Sequence, residues 1–71
     1  MTKRFSRNVL EARKEAGMTQ DALASRVDLL RTSISNIENG RQRILLEDLP
    51  VFANALGCTE SHLLRTGREI F

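Results

Sequence analysis

One cysteine, one histidine, no long apolar run and no glycine-rich linker are the first things to note in this chain. Each shortage closes off a class of protein. Cys58 alone cannot form an internal disulfide, which points to a reducing, cytoplasmic setting. His62 has no second histidine and no cysteine pair to complete a zinc site, so no metal is expected. The absence of a long apolar run argues against a membrane span. Met1-Thr2-Lys3-Arg4-Phe5-Ser6 is basic but lacks the apolar stretch of a secretory signal. Runs of β-branched residues are missing too, and with them the case for strands. Without linkers, repeats or low-complexity segments, residues 1–71 are expected to form a single domain, near the lower limit of what one core can stabilise. A chain of that length leaves little room for a substrate cleft.

Apolar residues are 41% of the chain, a globular rather than disordered proportion, and they recur at helical spacing. Phe5, Val9, Ala12 and Ala16 predict a first helix over residues 5–16, stopped by Gly17. Thr19 reads as an N-cap for a second helix over residues 20–27, with Asp21 complementing the dipole and Leu23, Ala24 and Val27 inward. Asp28-Leu29-Leu30 is a short break. A third helix follows over residues 31–39, with Ile34 and Ile37 inward and Gly40 at its end. Beyond the basic loop Arg41-Gln42-Arg43, a fourth helix is expected over residues 46–56, with Leu49, Phe52, Ala53 and Leu56 in the core and Pro50 near its first turn. Thr59 caps a short fifth helix carrying Leu63 and Leu64, and Arg65 to Phe71 follow no firm pattern. The expected fold is all-α, a compact five-helix bundle.

The second and third helices, joined by three residues, have the proportions of a helix-turn-helix. Ala24 is small where the two would approach closely, and Leu29 is apolar where it could plug the angle between them. The free face of the third helix carries Arg31, Thr32, Ser35, Asn36 and Asn39. Short donors and acceptors with one long arginine suit the edges of DNA bases. Net charge is only +2, but nine of the eleven basic residues are arginine, the side chain suited to phosphate forks and guanine edges.

The run Met18-Thr19-Gln20-Asp21-Ala22-Leu23-Ala24, followed by Arg31-Thr32-Ser33-Ile34-Ser35-Asn36-Ile37-Glu38-Asn39-Gly40-Arg41, resembles the Cro/repressor-type helix-turn-helix, the XRE family. Leu49 to Gly57 is similar to that family's fourth helix, and the likeness covers roughly residues 5–64. It implies a lambda-repressor-like DNA-binding domain and a transcriptional regulator bound to double-stranded operator DNA as a homodimer, with no cofactor. Arg31 and Thr32 match the first base-reading positions and Asn36 the next turn, with Ser35 adding a base or water-mediated contact. Gln20 matches a phosphate-binding glutamine that also braces the first residue of the recognition helix. Ser33, Asn39, Arg41 and Arg43 would hold phosphates. Arg13 and Glu38 match a semi-buried structural ion pair. Leftover apolar residues and the same likeness place a dimer surface near the fourth and fifth helices, at Ile44, Leu45, Glu60, Leu64 and the tail Ile70-Phe71. With little room expected for an effector domain, the chain resembles a phage Cro-type repressor or a controller protein of a restriction-modification system, with an antitoxin as a further variant.

Three departures from the pattern stand out. Asp28 occupies the turn position usually held by Gly. Leu30 sits where Ser or Thr commonly caps the recognition helix, and Ile44-Leu45 replace a more usual Pro and polar pair. Against the DNA-binding reading stand an interaction module on the same fold and, more remotely, an enzyme. The first would lose the polar face and basic loop, and both are present. The second would need a nucleophile or paired acid and base. Glu11 and Glu15 share a helix face without a histidine or cysteine partner in place, so no catalytic residues are assigned. Lys3, Arg4 and Arg7 read as an ordinary basic N-terminus rather than an arm reaching a phosphate, and His62 as an ordinary surface or interface residue.

Overall fold

The computed structural model describes the backbone of residues 2–64 and the side chains of residues 5–64. Its elements are α1 (Thr2–Glu15), α2 (Gln20–Val27), α3 (Arg31–Glu38), a 3-10 turn (Leu46–Asp48), α4 (Leu49–Leu56) and α5 (Glu60–Leu64), with no strand among the described residues. The expected tail contact at Ile70-Phe71, like the side chains of Lys3 and Arg4, lies outside the described residues.

Helix α1 begins before Phe5 because Thr2, Lys3 and Arg4 contain no helix breaker, and Lys and Arg propagate a helix well. Its buried face also differs from the expected stripe. Val9 and Ala12 are buried and Phe5 packs partly against the core, but Ala16 lies past the helix end and is exposed. Two polar residues, Ser6 and Asn8, are buried instead. Asn8 Nδ2 donates to the Leu63 carbonyl at 2.9 Å, which clamps α1 to α5 and satisfies an amide that would otherwise be costly to bury.

Local signals set the bounds of α2. The Thr19 hydroxyl accepts from Ala22 N at 3.0 Å at one end. At the other, Asp28 takes the left-handed conformation, φ 60° and ψ 45°, and the Leu29 amide donates back to the Ala24 carbonyl at 2.9 Å. Aspartate tolerates this region better than most residues, which is how the turn manages without glycine. Leu29 does not plug the interhelical angle. It is 38% exposed, and the wedge between α2 and α3 is filled by Leu23, Ala24, Val27, Ile34 and Ile37.

Helix α3 ends at Glu38, one residue short of the expected span, with Asn39 as its C-cap. The fourth helix starts later than its apolar pattern suggested. Pro50 has no N–H to give the Leu46 carbonyl, which is taken by the Leu49 amide in the 3-10 turn, so the α-helix proper starts at Leu49. Leu49, Phe52, Ala53, Ala55 and Leu56 of α4 are buried against Val9, Leu23 and Leu63 in one core. Thr59 Oγ1 accepts from His62 N at 3.0 Å and starts α5. Ile44 and Cys58 lie half-buried against the core edge. Among the described residues no helix is long and apolar enough to cross a membrane.

Candidate nucleic-acid interface

Helix α3 divides along its length. Ile34 and Ile37 are fully packed, and at about 100° per residue Thr32, Ser35, Asn36 and Asn39 fall on the opposite side with Arg31 at its edge. Arg31, Thr32 and Asn39 are exposed, whereas Ser33, Ser35 and Asn36 are partly covered. Asn39 Nδ2 lies 3.5 Å from Ser35 Oγ, a long contact on an exposed face.

The start of α3 has no side-chain cap. Leu30 occupies the cap position at φ −83° and ψ 153° and is 74% exposed. Only its carbonyl serves the helix, accepting from Ser33 N at 2.9 Å and Ile34 N at 3.2 Å. At the far end the chain folds back on itself: Arg41 N and Gln42 N donate to the Asn36 carbonyl at 2.8 and 3.2 Å, and Gly40 takes φ +77° to allow it. Backbone bonds therefore set where the basic loop leaves α3. The Arg41 and Arg43 side chains are exposed there, beside the polar face.

Glu38 anchors the assembly from below. Arg13 Nε donates to Glu38 Oε2 at 2.6 Å and Arg13 Nη2 to Oε1 at 3.1 Å, a forked pair whose side chains are only 11% and 4% exposed. Arg13 Nη1 also donates to the Met18 carbonyl at 2.8 Å. Gln20 Nε2 donates to Glu38 Oε1 at 3.0 Å. Gln20 thus braces the last turn of α3, where sequence reasoning expected it to brace the first. The reason is electrostatic: a nearly buried carboxylate is a strong acceptor for the amide, whereas the Arg31 guanidinium carries only donors.

The residue that does reach Arg31 is Asp21, whose Oδ1 lies 3.5 Å from Arg31 Nε. Sequence reasoning assigned Asp21 only to the α2 dipole. The pair lies across the turn and depends on the interhelical angle, so spacing along the chain carries no sign of it.

Of the expected dimer residues, Leu45, Glu60 and Leu64 are exposed, while Ile44 is partly buried as a lid on the core. Leu46 and Val51 are further exposed apolar side chains in the same stretch. Among the described residues no group of three His, Cys, Asp or Glu side chains gathers to hold a metal ion.

A helix-turn-helix family model matches residues 9–63. The chain is 38% identical over 61 residues to the control protein C.MunI of a Mycoplasma species, covering 84% of this chain and 82% of that one. It is 36% identical over 61 residues to the control protein C.BamHI of Bacillus amyloliquefaciens, covering 84% and 75%. In structure it is similar to the restriction-modification controller protein C.AhdI from Aeromonas hydrophila, with a TM-score of 0.82 at 26% identity over 87% of this chain and 94% of that one.

Proposed function

The chain belongs to the helix-turn-helix family of DNA-binding regulators, and on that premise we propose that it controls transcription by binding operator DNA as a homodimer, with α3 in the major groove. The observation that carries this reading is the division of α3 into a packed inner face and an outer face of short polar groups, with two exposed arginines on the loop that follows. In this arrangement Arg31, Thr32, Ser35 and Asn36 read base edges. Arg31 alone, bidentate to guanine O6 and N7, supplies about 1–3 kcal/mol of discrimination. Ser33, Asn39, Arg41 and Arg43 hold phosphates and fix the register. Gln20 joins them through its second amide hydrogen, since one is already given to Glu38.

Two copies are needed because one short module buries too little surface for tight, specific binding. Exposed Leu45, Leu64 and Glu60, with Ile44 at the rim, form the dimer surface, and the two recognition helices read half-sites about 34 Å apart. The role is binding and not catalysis, carried out in the cytoplasm. The two relatives named as control proteins, and the solved restriction-modification controller protein, support a controller role for this chain over a phage repressor or an antitoxin.

In vitro selection from a random DNA pool tests the proposal. The expected product is an inverted repeat whose half-sites are about one helical turn apart, protected in a footprint at protein concentrations where sedimentation shows a dimer. A pool that never enriches a motif would sink it.

A further inference from the structure

Arg31 and Asp21 stand in the first turns of α3 and α2, and Arg31 Nε lies 3.5 Å from Asp21 Oδ1 with side chains 61% and 79% exposed. A pair this open and this long adds little to stability. Its effect falls on where the guanidinium points. Arginine has a long, rotamer-rich stem whose freedom must be lost before its planar fork can meet a base. A carboxylate on Nε holds the inner edge of that fork. The two terminal amino groups are left forward, and those are the donors that match O6 and N7 of guanine. The same carboxylate puts negative charge beside the reading face, where a phosphate in the wrong register would be repelled.

We propose that Asp21 is a positioning residue for Arg31: it sets the guanidinium end-on for guanine and lowers affinity for DNA that offers no guanine there. The inference rests on the reading of Arg31 as a base contact. Asp21 is exposed and accepts no hydrogen bond that any described helix depends on, so its removal should leave the fold intact.

The test compares binding to a selected operator with binding to the same operator carrying 7-deazaguanine, which lacks only N7, at each guanine in turn. Wild type, Asp21→Ala, Asp21→Asn, Arg31→Ala and the Asp21→Ala/Arg31→Ala double variant are measured on both. At one guanine the wild type should lose affinity with the deaza base and Arg31→Ala should not. At that guanine the wild-type preference should fall about two- to fivefold in both Asp21 variants, the size of an exposed pair's coupling. It should not fall further when Asp21→Ala is added to Arg31→Ala. Both Asp21 variants should bind unrelated DNA more tightly than wild type does. An unchanged preference in the Asp21 variants overturns the proposal. So does an equal fall with and without Arg31, which would make Asp21 a mere surface charge. If no guanine separates wild type from Arg31→Ala, the base-reading assignment of Arg31 fails instead and the inference falls with it.

Discussion

Replacing Arg13 by Met is the perturbation that most sharply separates two ideas about the Arg13–Glu38 pair. If the pair is simply an attraction, its loss costs what a salt bridge is worth. If burial governs, the loss strands a carboxylate that is only 4% exposed and was held by two guanidinium bonds. Breaking one partner of such a pair costs about 3–5 kcal/mol, chiefly through the charge left behind. Here Gln20 still donates to Glu38 at 3.0 Å, which moderates the penalty, while the bond from Arg13 to the Met18 carbonyl is lost as well. The expected cost is therefore about 3 kcal/mol. A domain of 71 residues has roughly 4–10 kcal/mol in total, so the variant should keep only about 1–7 kcal/mol, with a detectable unfolded fraction at the lower end. Urea unfolding followed by far-UV circular dichroism measures it. The deciding comparison is Arg13→Met/Glu38→Leu, which removes both charges and should recover about 1–2 kcal/mol relative to the single variant. A single-variant cost under about 1 kcal/mol, or a double variant no more stable than the single, would refute the reasoning from burial.

Leu30→Ser supplies the missing cap of α3 and removes an exposed apolar side chain. It should add about 0.5–1 kcal/mol and raise Tm by about 4 °C, read in a thermal melt. Gly40→Ala tests which of two effects governs that position. The added Cβ would lie 3.6 Å from Ser6 Oγ, an ordinary contact, but φ is +77°. Backbone strain of roughly 1–2 kcal/mol should therefore be the whole loss, and a much larger one in urea titration would mean that the contact with α1 cannot relax. Arg31→Ala should narrow the gap between operator and unrelated DNA. Arg43→Ala should weaken both alike and lower the slope of log affinity against log salt by about 1, measured by titration at several salt concentrations.

What the sequence made legible is what short-range chemistry decides. Thr19 and Thr59 as caps, Gly17 and Gly40 as helix stops, and Ile34 and Ile37 as an inward stripe all follow from residues a turn or less apart. Pro50 pointed to its own first turn, but the 3-10 geometry ahead of it depends on which amide takes the Leu46 carbonyl. What stayed hidden depends on how the helices meet. Leu29 was a reasonable plug until the wedge proved full. Asn8 finds its carbonyl across 55 residues, and Gln20 finds Glu38 rather than Arg31. The candidate readers of α3 were visible because they lie on one helix. Asp21, on another, was not.

The same contrast separates two kinds of loss in DNA binding. Leu30 gives the start of α3 no side-chain cap, whereas at the far end Glu38 gathers Arg13 from α1 and Gln20 from α2. The basic loop is held separately, by backbone donors to the Asn36 carbonyl. Truncating Arg41 or Arg43 therefore subtracts a charge without moving the loop, and its effect on binding is the effect of that contact. Changing Arg13 or Glu38 removes a tie between helices and lowers the folded fraction. Such a variant loses affinity for all sequences in proportion to that fraction, and cooling or a stabilising change such as Leu30→Ser restores it. A loss that persists once the folded fraction is restored would place Arg13 or Glu38 in the interface itself.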